Sequence, residues 1–216
     1  MGFTREFMEV QAHGNTKLHV IHTNERRPPP SSSTSDTLNS SAVGVDVEYT
    51  NDVGEDQKPS LVQLSVGKDH PVLLFQLNAA DKNCTRFDNF LADPRYMFAD
   101  FSIDSYIEML GRVGLEIAHF VDIQKEWRVP TATKPLDSLG DVSGILVHDV
   151  ALTNAEHQRW ARMPLSMRHV EYATKDAYAA YEIWIRLTII HVGLRRAKLD
   201  KEQTRKRARS CGDYDY

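Results

Sequence analysis

Two carboxylates lie two residues apart in a β-branched, apolar segment of the chain. Asp46 and Glu48 belong to the run AVGVDVEYT at Ala42–Thr50, which has the composition of a strand. Side chains two residues apart on a strand point to the same face, so both acids converge on one point. Their repulsion is tolerable when a divalent cation lies between them and binds carboxylate oxygens. The alternative is a solvated strand face, which is the commoner explanation for an isolated acidic pair.

A third acid lies in the segment with the clearest helical pattern. Apolar residues recur at helical spacing over Arg168–Val192, which predicts a long helix. Tyr172 and Asp176 are four residues apart and share one face of it, beside the small residues Ala173 and Ala177. These small side chains permit a close approach to a sheet. Taken singly, Asp176 is equally compatible with a solvated helix position and Tyr172 with a packed aromatic.

The order of segments along the chain predicts an α/β fold. The predicted strands are Lys17–Thr23, Ala42–Thr50, Leu61–Gly67, Pro71–Leu77, Tyr96–Ile103 and Ile117–Val121. The predicted helices are Phe87–Ala92, a segment capped by Ser105 and running through Val113, a segment capped by Asp137 or Ser138 and running through Leu146, and Arg168–Val192. We therefore expect a mixed sheet covered by helices, with an antiparallel meander over the three strands between residues 42 and 77.

Length and composition favour one domain with polar ends. Of the 216 residues, 1–16 are predicted to form an N-terminal extension, 17–195 the domain, and 196–216 a disordered polar tail. The net charge of −4 provides no global field for a polyanion, so any nucleic-acid contact must be local. Cys84 and Cys211 lie far apart and form no zinc-type pair. The sequence contains neither a signal peptide nor a membrane-spanning apolar run, which predicts an intracellular protein without a membrane partner.

Together these motifs resemble a known enzyme family. D-x-E on an early strand and Y-A-T-K-D-A-Y-A-A-Y on a late helix are similar to the Werner-type and ribonuclease-D-type 3'-5' exonucleases, the tyrosine subclass of the DEDD superfamily. The resemblance covers Leu18–Val192 and includes KPSLVQLSVG, DSLGDV and W-x-R-x-P-L-S at Trp160–Ser166. Small plant Werner-like exonucleases are the most similar members. The resemblance implies a ribonuclease-H-like mixed sheet flanked by helices, and hydrolysis of DNA or RNA 3' ends to nucleoside 5'-monophosphates.

The resemblance also implies a role for each candidate residue. Asp46 would bridge two cations, Glu48 and Asp176 would complete the first metal site, and Tyr172 would orient the attacking water. Carboxylate oxygens suit Mg²⁺ or Mn²⁺. The partner would be a nucleic-acid 3' end, and the sequence does not distinguish DNA from RNA, because that choice depends on contacts to the 2'-hydroxyl.

The family uses a fourth carboxylate, which is missing from its expected position. The corresponding segment is FADFSIDSYIEML at residues 98–110. When Ile103 and the apolar pair Met109-Leu110 are aligned with the family pattern, Tyr106 lies where the acid is expected and Asp100 lies where a glycine is common. The second metal site is therefore in doubt.

Two nearby acids are alternatives for this missing carboxylate. Glu108 lies two residues after Tyr106 and is rotated by roughly 200° around a helix, which makes it a poor substitute. Asp104 lies at the helix entrance, from which it could reach the second cation through water. The chain is then either an active exonuclease, weakened at its second site, or a catalytically inactive nucleic-acid-binding or protein-interaction module.

The remaining residues of interest have ordinary explanations. Trp160 could stack on a base, but an aromatic of this size is more typical of the core. His148, His157 and His169 lack zinc-type spacing and are interpreted as surface or packing residues. The basic run at residues 201–209 could contact phosphates, act as a nuclear import signal or simply be a solvated charged segment. The sequence thus leaves the location open between nucleus and cytoplasm.

Overall fold

The computed structural model describes residues 5–12, 15–24, 42–50, 57–80, 85–126 and 151–211. Its strands are β1 (Arg5–Gln11), β2 (Lys17–Thr23), β3 (Ala42–Thr50), β4 (Lys58–Ser65), β5 (Val72–Gln76), β6 (Met97–Asp100) and β7 (Phe120–Asp122). Its α-helices are α1 (Thr85–Leu91), α2 (Asp104–Arg112), α3 (Ile123–Glu126), α4 (Asn154–His157) and α5 (Met167–Cys211). A 3-10 turn at Leu77–Ala79 follows β5.

The strands form one mixed sheet in the order β1-β2-β5-β4-β3-β6-β7. β3, β4 and β5 pair in an antiparallel meander. β2 runs parallel to β5, and β6 runs parallel to both β3 and β7. The predicted α/β class, the mixed sheet and the antiparallel meander are confirmed.

Different helices cover the two faces of the sheet. α5 packs on one face, where it contacts β3, β4 and β5. On the other face, α1 and α2 enclose a core of apolar side chains. Its main members are Val43, Val45, Val47, Val62, Leu64, Phe75, Phe87, Leu91, Phe98, Tyr106 and Leu110. Because strand residues alternate between faces, Val45 and Val47 enter this core whereas Asp46 and Glu48 are presented toward α5.

A glycine determines how closely α5 approaches the sheet. A Cβ added at Gly44 would lie 2.1 Å from the Ala177 carbonyl oxygen and 2.5 Å from the Tyr181 backbone nitrogen. Only a residue without a side chain fits between these two backbones. The small residues Ala173, Ala177 and Ala180 on α5 are fully buried at this contact. The helix is therefore in direct backbone contact with β3, two residues before Asp46.

The structure differs from the sequence-based prediction near the N-terminus and at the start of α2. Residues 5–11, predicted to be part of an extension, form β1 and pair with β2. This edge strand carries several charges, and its pairing partner stabilises it more than its own composition does. Helix α2 begins at Asp104, with Ile103 as its N-cap, so Ser105 lies inside the helix rather than capping it. The predicted helix that begins at Asp137 or Ser138 lies outside the described residues.

Helix α5 continues well beyond the predicted end at Val192. It extends to Cys211, through residues that were predicted to be a disordered tail. From Val192 to Arg205 its side chains are exposed. Propagating an existing helix needs no new nucleus, and this stretch is rich in the good helix formers Arg, Lys, Ala, Glu and Gln. Among the described helices, none combines the length and the hydropathy that a membrane crossing requires.

The contact at Gly44 predicts a large effect of one added methyl group. We expect Gly44→Ala to lower the free energy of unfolding by about 3 kcal/mol or more, because neither backbone at the contact can move away freely. Urea unfolding followed by circular dichroism measures this. Gly111→Ala is the control, since an added Cβ there meets nothing within 4 Å, and we expect it to stabilise α2 by roughly 0.5 kcal/mol. Equal stability of the two variants would contradict the proposed tight contact.

Candidate active site

Three carboxylates meet at the contact between β3 and α5. Oxygen atoms of Asp46, Glu48 and Asp176 all lie within 4.8 Å of one another. Asp46 and Glu48 come from one face of β3, and the strand register shifts immediately after Glu48. Asp176 comes from α5, one residue before the alanine that contacts Gly44. The convergence that the sequence predicted for these residues is therefore present in the fold.

A buried glutamine fixes the position of Asp46. Gln63 is directly opposite Asp46 on β4 and is fully buried. Its side-chain amide donates to Asp46 Oδ2 at 2.8 Å and to the Ala173 carbonyl oxygen at 3.0 Å. The Val47 backbone N–H donates to the other oxygen, Asp46 Oδ1, at 2.7 Å. Sequence reasoning did not identify Gln63, although one amide in the apolar run LVQLSV indicates a buried polar contact.

Burial raises the pKa of all three acids, and repulsion from neighbouring carboxylates adds to the effect at Glu48 and Asp176. Burial raises the pKa of Asp46 to about 6, even though the hydrogen bonds from Val47 and Gln63 lower it. Burial, followed by the charges of Asp46 and Asp176, raises the pKa of Glu48 well above its usual range. Burial and the charge of Asp46 do the same to the pKa of Asp176. A nearby cation would favour the ionised form of every member of this cluster.

Tyr172 lies one helical turn before Asp176, and its hydroxyl forms a hydrogen bond with the Asp176 carboxylate. The ring packs edge-on against His157 at a centroid distance of 5.4 Å and lies 6.1 Å from Trp160. Burial and the charges of Asp176, Glu48 and Asp46 raise the pKa of Tyr172 above its usual range. The phenol therefore stays protonated at neutral pH and remains a hydrogen-bond donor.

Trp160 supports this tyrosine from the protein interior. Its side chain is fully buried, which confirms the prediction that it belongs to the core. The backbone carbonyl oxygen of Trp160 accepts a hydrogen bond from Gln76 Nε2 at 2.5 Å, which links the segment after α4 to the end of β5. His169 packs edge-on against the indole ring and hydrogen-bonds Ser166. His157 and His169 are thus packing residues, and His148 lies outside the described residues.

A fourth carboxylate, which sequence reasoning assigned to a glycine position, lies beside the cluster. Asp100 ends β6 and is 4% exposed. The hydroxyl of Tyr106 donates to Asp100 Oδ2 at 2.5 Å. Burial, followed by the charge of Asp46, raises the pKa of Asp100 well above its usual range. The signal that could have revealed it is an acid at the end of an otherwise apolar strand, next to β3.

The two alternatives for the missing acid lie on the surface. Asp104 is about half exposed and forms an ion pair with Lys125. Glu108 is largely exposed and pairs with Arg112 one turn later at 2.9 Å. Their carboxylates already have cationic partners in solvent.

Comparison with known proteins identifies the family of this chain. A family model described as 3'-5' exonuclease matches residues 30–190. The chain belongs to this 3'-5' exonuclease family. No curated protein sequence matches it.

Solved structures share the fold of this exonuclease-family chain. RNase D of Escherichia coli has a TM-score of 0.55 at 20% identity, and the match covers 76% of this chain but only 44% of that one. RNase D of Trypanosoma brucei in complex with RNA U12 has a TM-score of 0.52 at 20% identity, and the match covers 67% of this chain and 54% of that one. NrnC of Brucella melitensis bound to pGG has a TM-score of 0.51 at 17% identity, and the match covers 80% of this chain and 79% of that one. The chain thus spans less than half the length of the E. coli enzyme.

The donor set fits a hard divalent cation. Three carboxylates that converge within 4.8 Å provide the oxygen ligands that Mg²⁺ and Mn²⁺ prefer. In the absence of a cation the ionised carboxylates are costly, as shown by pKa values that burial raises at all three acids and that repulsion raises further at Glu48 and Asp176. Among the described residues, these three acids form the group of His, Cys, Asp or Glu side chains whose ligand atoms all lie within 4.8 Å of one another.

The raised pKa of Asp46 predicts a pH-dependent stability of the metal-free protein. Its pKa of about 6 in the fold exceeds the ordinary value of 3.8. The folded state therefore binds the proton of Asp46 more tightly than the unfolded state does. The contribution of this proton to the free energy of unfolding is fully present below about pH 4 and is lost as the pH rises through about 6. We expect Asp46→Asn in EDTA to be more stable than the wild type at pH 8 by about 3 kcal/mol, and equally stable at pH 4.

Urea unfolding at the two pH values measures this difference. Glu108→Gln is the control, because it removes an exposed acid without altering the cluster. A wild type that is as stable as Asp46→Asn at pH 8 would show that burial does not raise the pKa of Asp46 in the fold.

Proposed function

We propose that this protein removes nucleotides from the 3' ends of nucleic acids as nucleoside 5'-monophosphates, using Mg²⁺ or Mn²⁺ held by Asp46, Glu48 and Asp176. The observation that carries the proposal is the meeting of these three carboxylates with a tyrosine hydroxyl at one point. Membership of the 3'-5' exonuclease family supports the reaction class. The relatives bound to RNA U12 and to pGG support a nucleic-acid or nucleotide ligand.

Bound cations would offset the carboxylate charge, acidify the attacking water and stabilise the leaving oxygen. The residues of the chain do the positioning. Gln63 and the Val47 N–H fix both oxygens of Asp46, and the contact at Gly44 fixes Asp176 above β3. Preorganised ligands of this kind lower the cost of assembling the reactive geometry.

Tyr172 is the residue best placed to orient the nucleophile. Its hydroxyl is held at Asp176 and remains protonated, so it can direct a water in line with the scissile bond. In the reaction, the water oxygen forms a bond to phosphorus while the bond from phosphorus to the 3' oxygen breaks. The proton lost by the water goes to solvent, and the leaving 3' oxygen gains one. The terminal nucleotide departs with its 5'-phosphate.

A decisive test uses 5'-labelled RNA and DNA oligonucleotides of one sequence. We expect Mg²⁺ or Mn²⁺ to support stepwise shortening from the 3' end, and EDTA or Asp46→Asn to abolish it. Glu108→Gln should cut at the wild-type rate, because that side chain lies on the surface. An intact wild type with no shortening of either substrate would contradict the proposal and favour the alternative of a binding module, for which Tyr106 at the expected acid position is the supporting observation.

Tyr172→Phe separates water orientation from metal binding. It removes the hydroxyl but keeps the ring packed against His157 and Trp160. We expect the cleavage rate at saturating substrate to fall about 100-fold, since a positioned proton-transfer or orienting group contributes on this scale. The affinity for Mn²⁺, measured by titration calorimetry, should change little. A rate that stays at the wild-type level would exclude this role for the hydroxyl.

A further inference from the structure

The environment of Asp100 differs from that of the other acids near α2. Asp104 and Glu108 are exposed and paired with cations, whereas Asp100 is buried and receives its hydrogen bond from a neutral phenol. Burial disfavours the ionised form of a carboxyl group, and a neutral donor does not cancel its charge, so an ionised Asp100 needs a cation nearby. Asp100 therefore has the chemistry of a metal-site residue rather than of a surface acid.

The sheet places Asp100 at the level of Val45, the residue before Asp46. β6 runs parallel to β3, with Ala99 paired to Gly44. Asp100, which pairs with Asp122 on β7, thus lies beside Val45 and, like Val45, faces α2. The Tyr106 hydroxyl touches both neighbours, since it lies 2.5 Å from Asp100 Oδ2 and 3.5 Å from the Val45 carbonyl oxygen. The carboxylate is consequently held against Val45, and the charges of Asp46 and Asp176 are close enough to raise its pKa.

Tyr106 is held firmly enough to fix this carboxylate. Its side chain is 4% exposed and belongs to the core between α2 and the sheet. A packed aromatic ring has only two side-chain torsions, so the position of its hydroxyl is well determined. The chain thus has a long neutral donor on α2 and a short acid on β6, where the family pattern has an acid on the helix and a small residue on the strand.

We infer that Asp100 is the fourth carboxylate of the metal centre and that Tyr106 is its positioning residue. This inference rests on the proposed function. Two divalent cations carry four positive charges, of which the three carboxylates around Asp176 neutralise three, and Asp100 supplies the fourth negative charge beside Asp46. Tyr106 holds one carboxylate oxygen by a hydrogen bond, and the carboxylate keeps further lone pairs for a cation.

The test measures Mn²⁺ binding to the full-length metal-free protein by electron paramagnetic resonance and titration calorimetry. We expect two ions to bind the wild type, and Asp100→Asn to weaken one of them by roughly 100-fold. Tyr106→Phe, which keeps the ring and removes the hydroxyl, should weaken the same ion by about tenfold. Asp104→Asn is the matched control at the entrance of α2, and it should bind both ions as the wild type does.

Folding is checked separately by urea unfolding in EDTA. Asp100→Asn removes a buried charge, so the metal-free variant should be at least as stable as the wild type. The double variant Asp100→Gly with Tyr106→Asp moves the acid from the strand to the helix, and we expect it to bind two ions and to cut nucleic acid. Binding of two ions and cleavage of nucleic acid by this double variant would show that the two positions serve one metal site.

Two outcomes would overturn the inference. Wild-type Mn²⁺ binding by Asp100→Asn would show that the carboxylate is not a ligand, and faster cleavage by Tyr106→Phe or Asp100→Asn would show that the pair blocks the site. The proposed function fails separately, if Asp46→Asn also leaves Mn²⁺ binding and cleavage unchanged. Loss of both in Asp46→Asn, with Asp100→Asn unaffected, would reject only the role of Asp100.

Discussion

The backbones of α5 and β3 touch at Gly44, where an added methyl group would lie 2.1 Å from the Ala177 carbonyl oxygen. This contact determines the position of the acidic centre. Asp46 follows Gly44 by two residues on the strand, and Asp176 precedes Ala177 on the helix, so the same approach that packs the helix also brings the two acids together. A bulkier residue at this position would separate the carboxylates and also loosen the core. The packing and the chemistry therefore both depend on the absence of a side chain at Gly44.

The cost of this arrangement is electrostatic. Desolvation raises the pKa of Asp46, Glu48, Asp100 and Asp176, and repulsion from neighbouring carboxylates raises it further at all but Asp46. The apolar core on the opposite face, built around Val45, Val47, Phe98 and Leu110, offsets part of this cost through burial. Fixed, repelling ligands bind a cation more strongly than mobile ones, because the cation removes the repulsion and little ordering entropy remains to be lost. The site thus lowers the stability of the metal-free fold and raises the affinity for a cation.

The sequence predicted the α/β class, the antiparallel meander, and the shared faces of Asp46 with Glu48 and of Tyr172 with Asp176, because period-2 and period-3.6 patterns specify which side chains share a face. The meeting of Asp46 with Asp176 was implied by the family resemblance and not by these patterns. It could not predict which residues meet between elements. Asp100 was assigned to a glycine position, since neither its burial nor the reach of the Tyr106 hydroxyl is visible in FADFSID. The ends of elements also depended on partners: β1 is stabilised by pairing with β2, and the extension of α5 continues a helix that the core has already nucleated.

The donors that hold these acids have a common property. Gln63 and the Val47 N–H hold Asp46, Tyr106 holds Asp100, and Tyr172 binds Asp176. All of these donors are neutral, whereas the surface acid Asp104 is paired with Lys125. A neutral donor orients a carboxylate without cancelling its charge, while a lysine or arginine would satisfy both needs at once and remove the attraction for a metal ion. Because these donors are neutral, the negative charge of the centre is left for a bound cation to compensate.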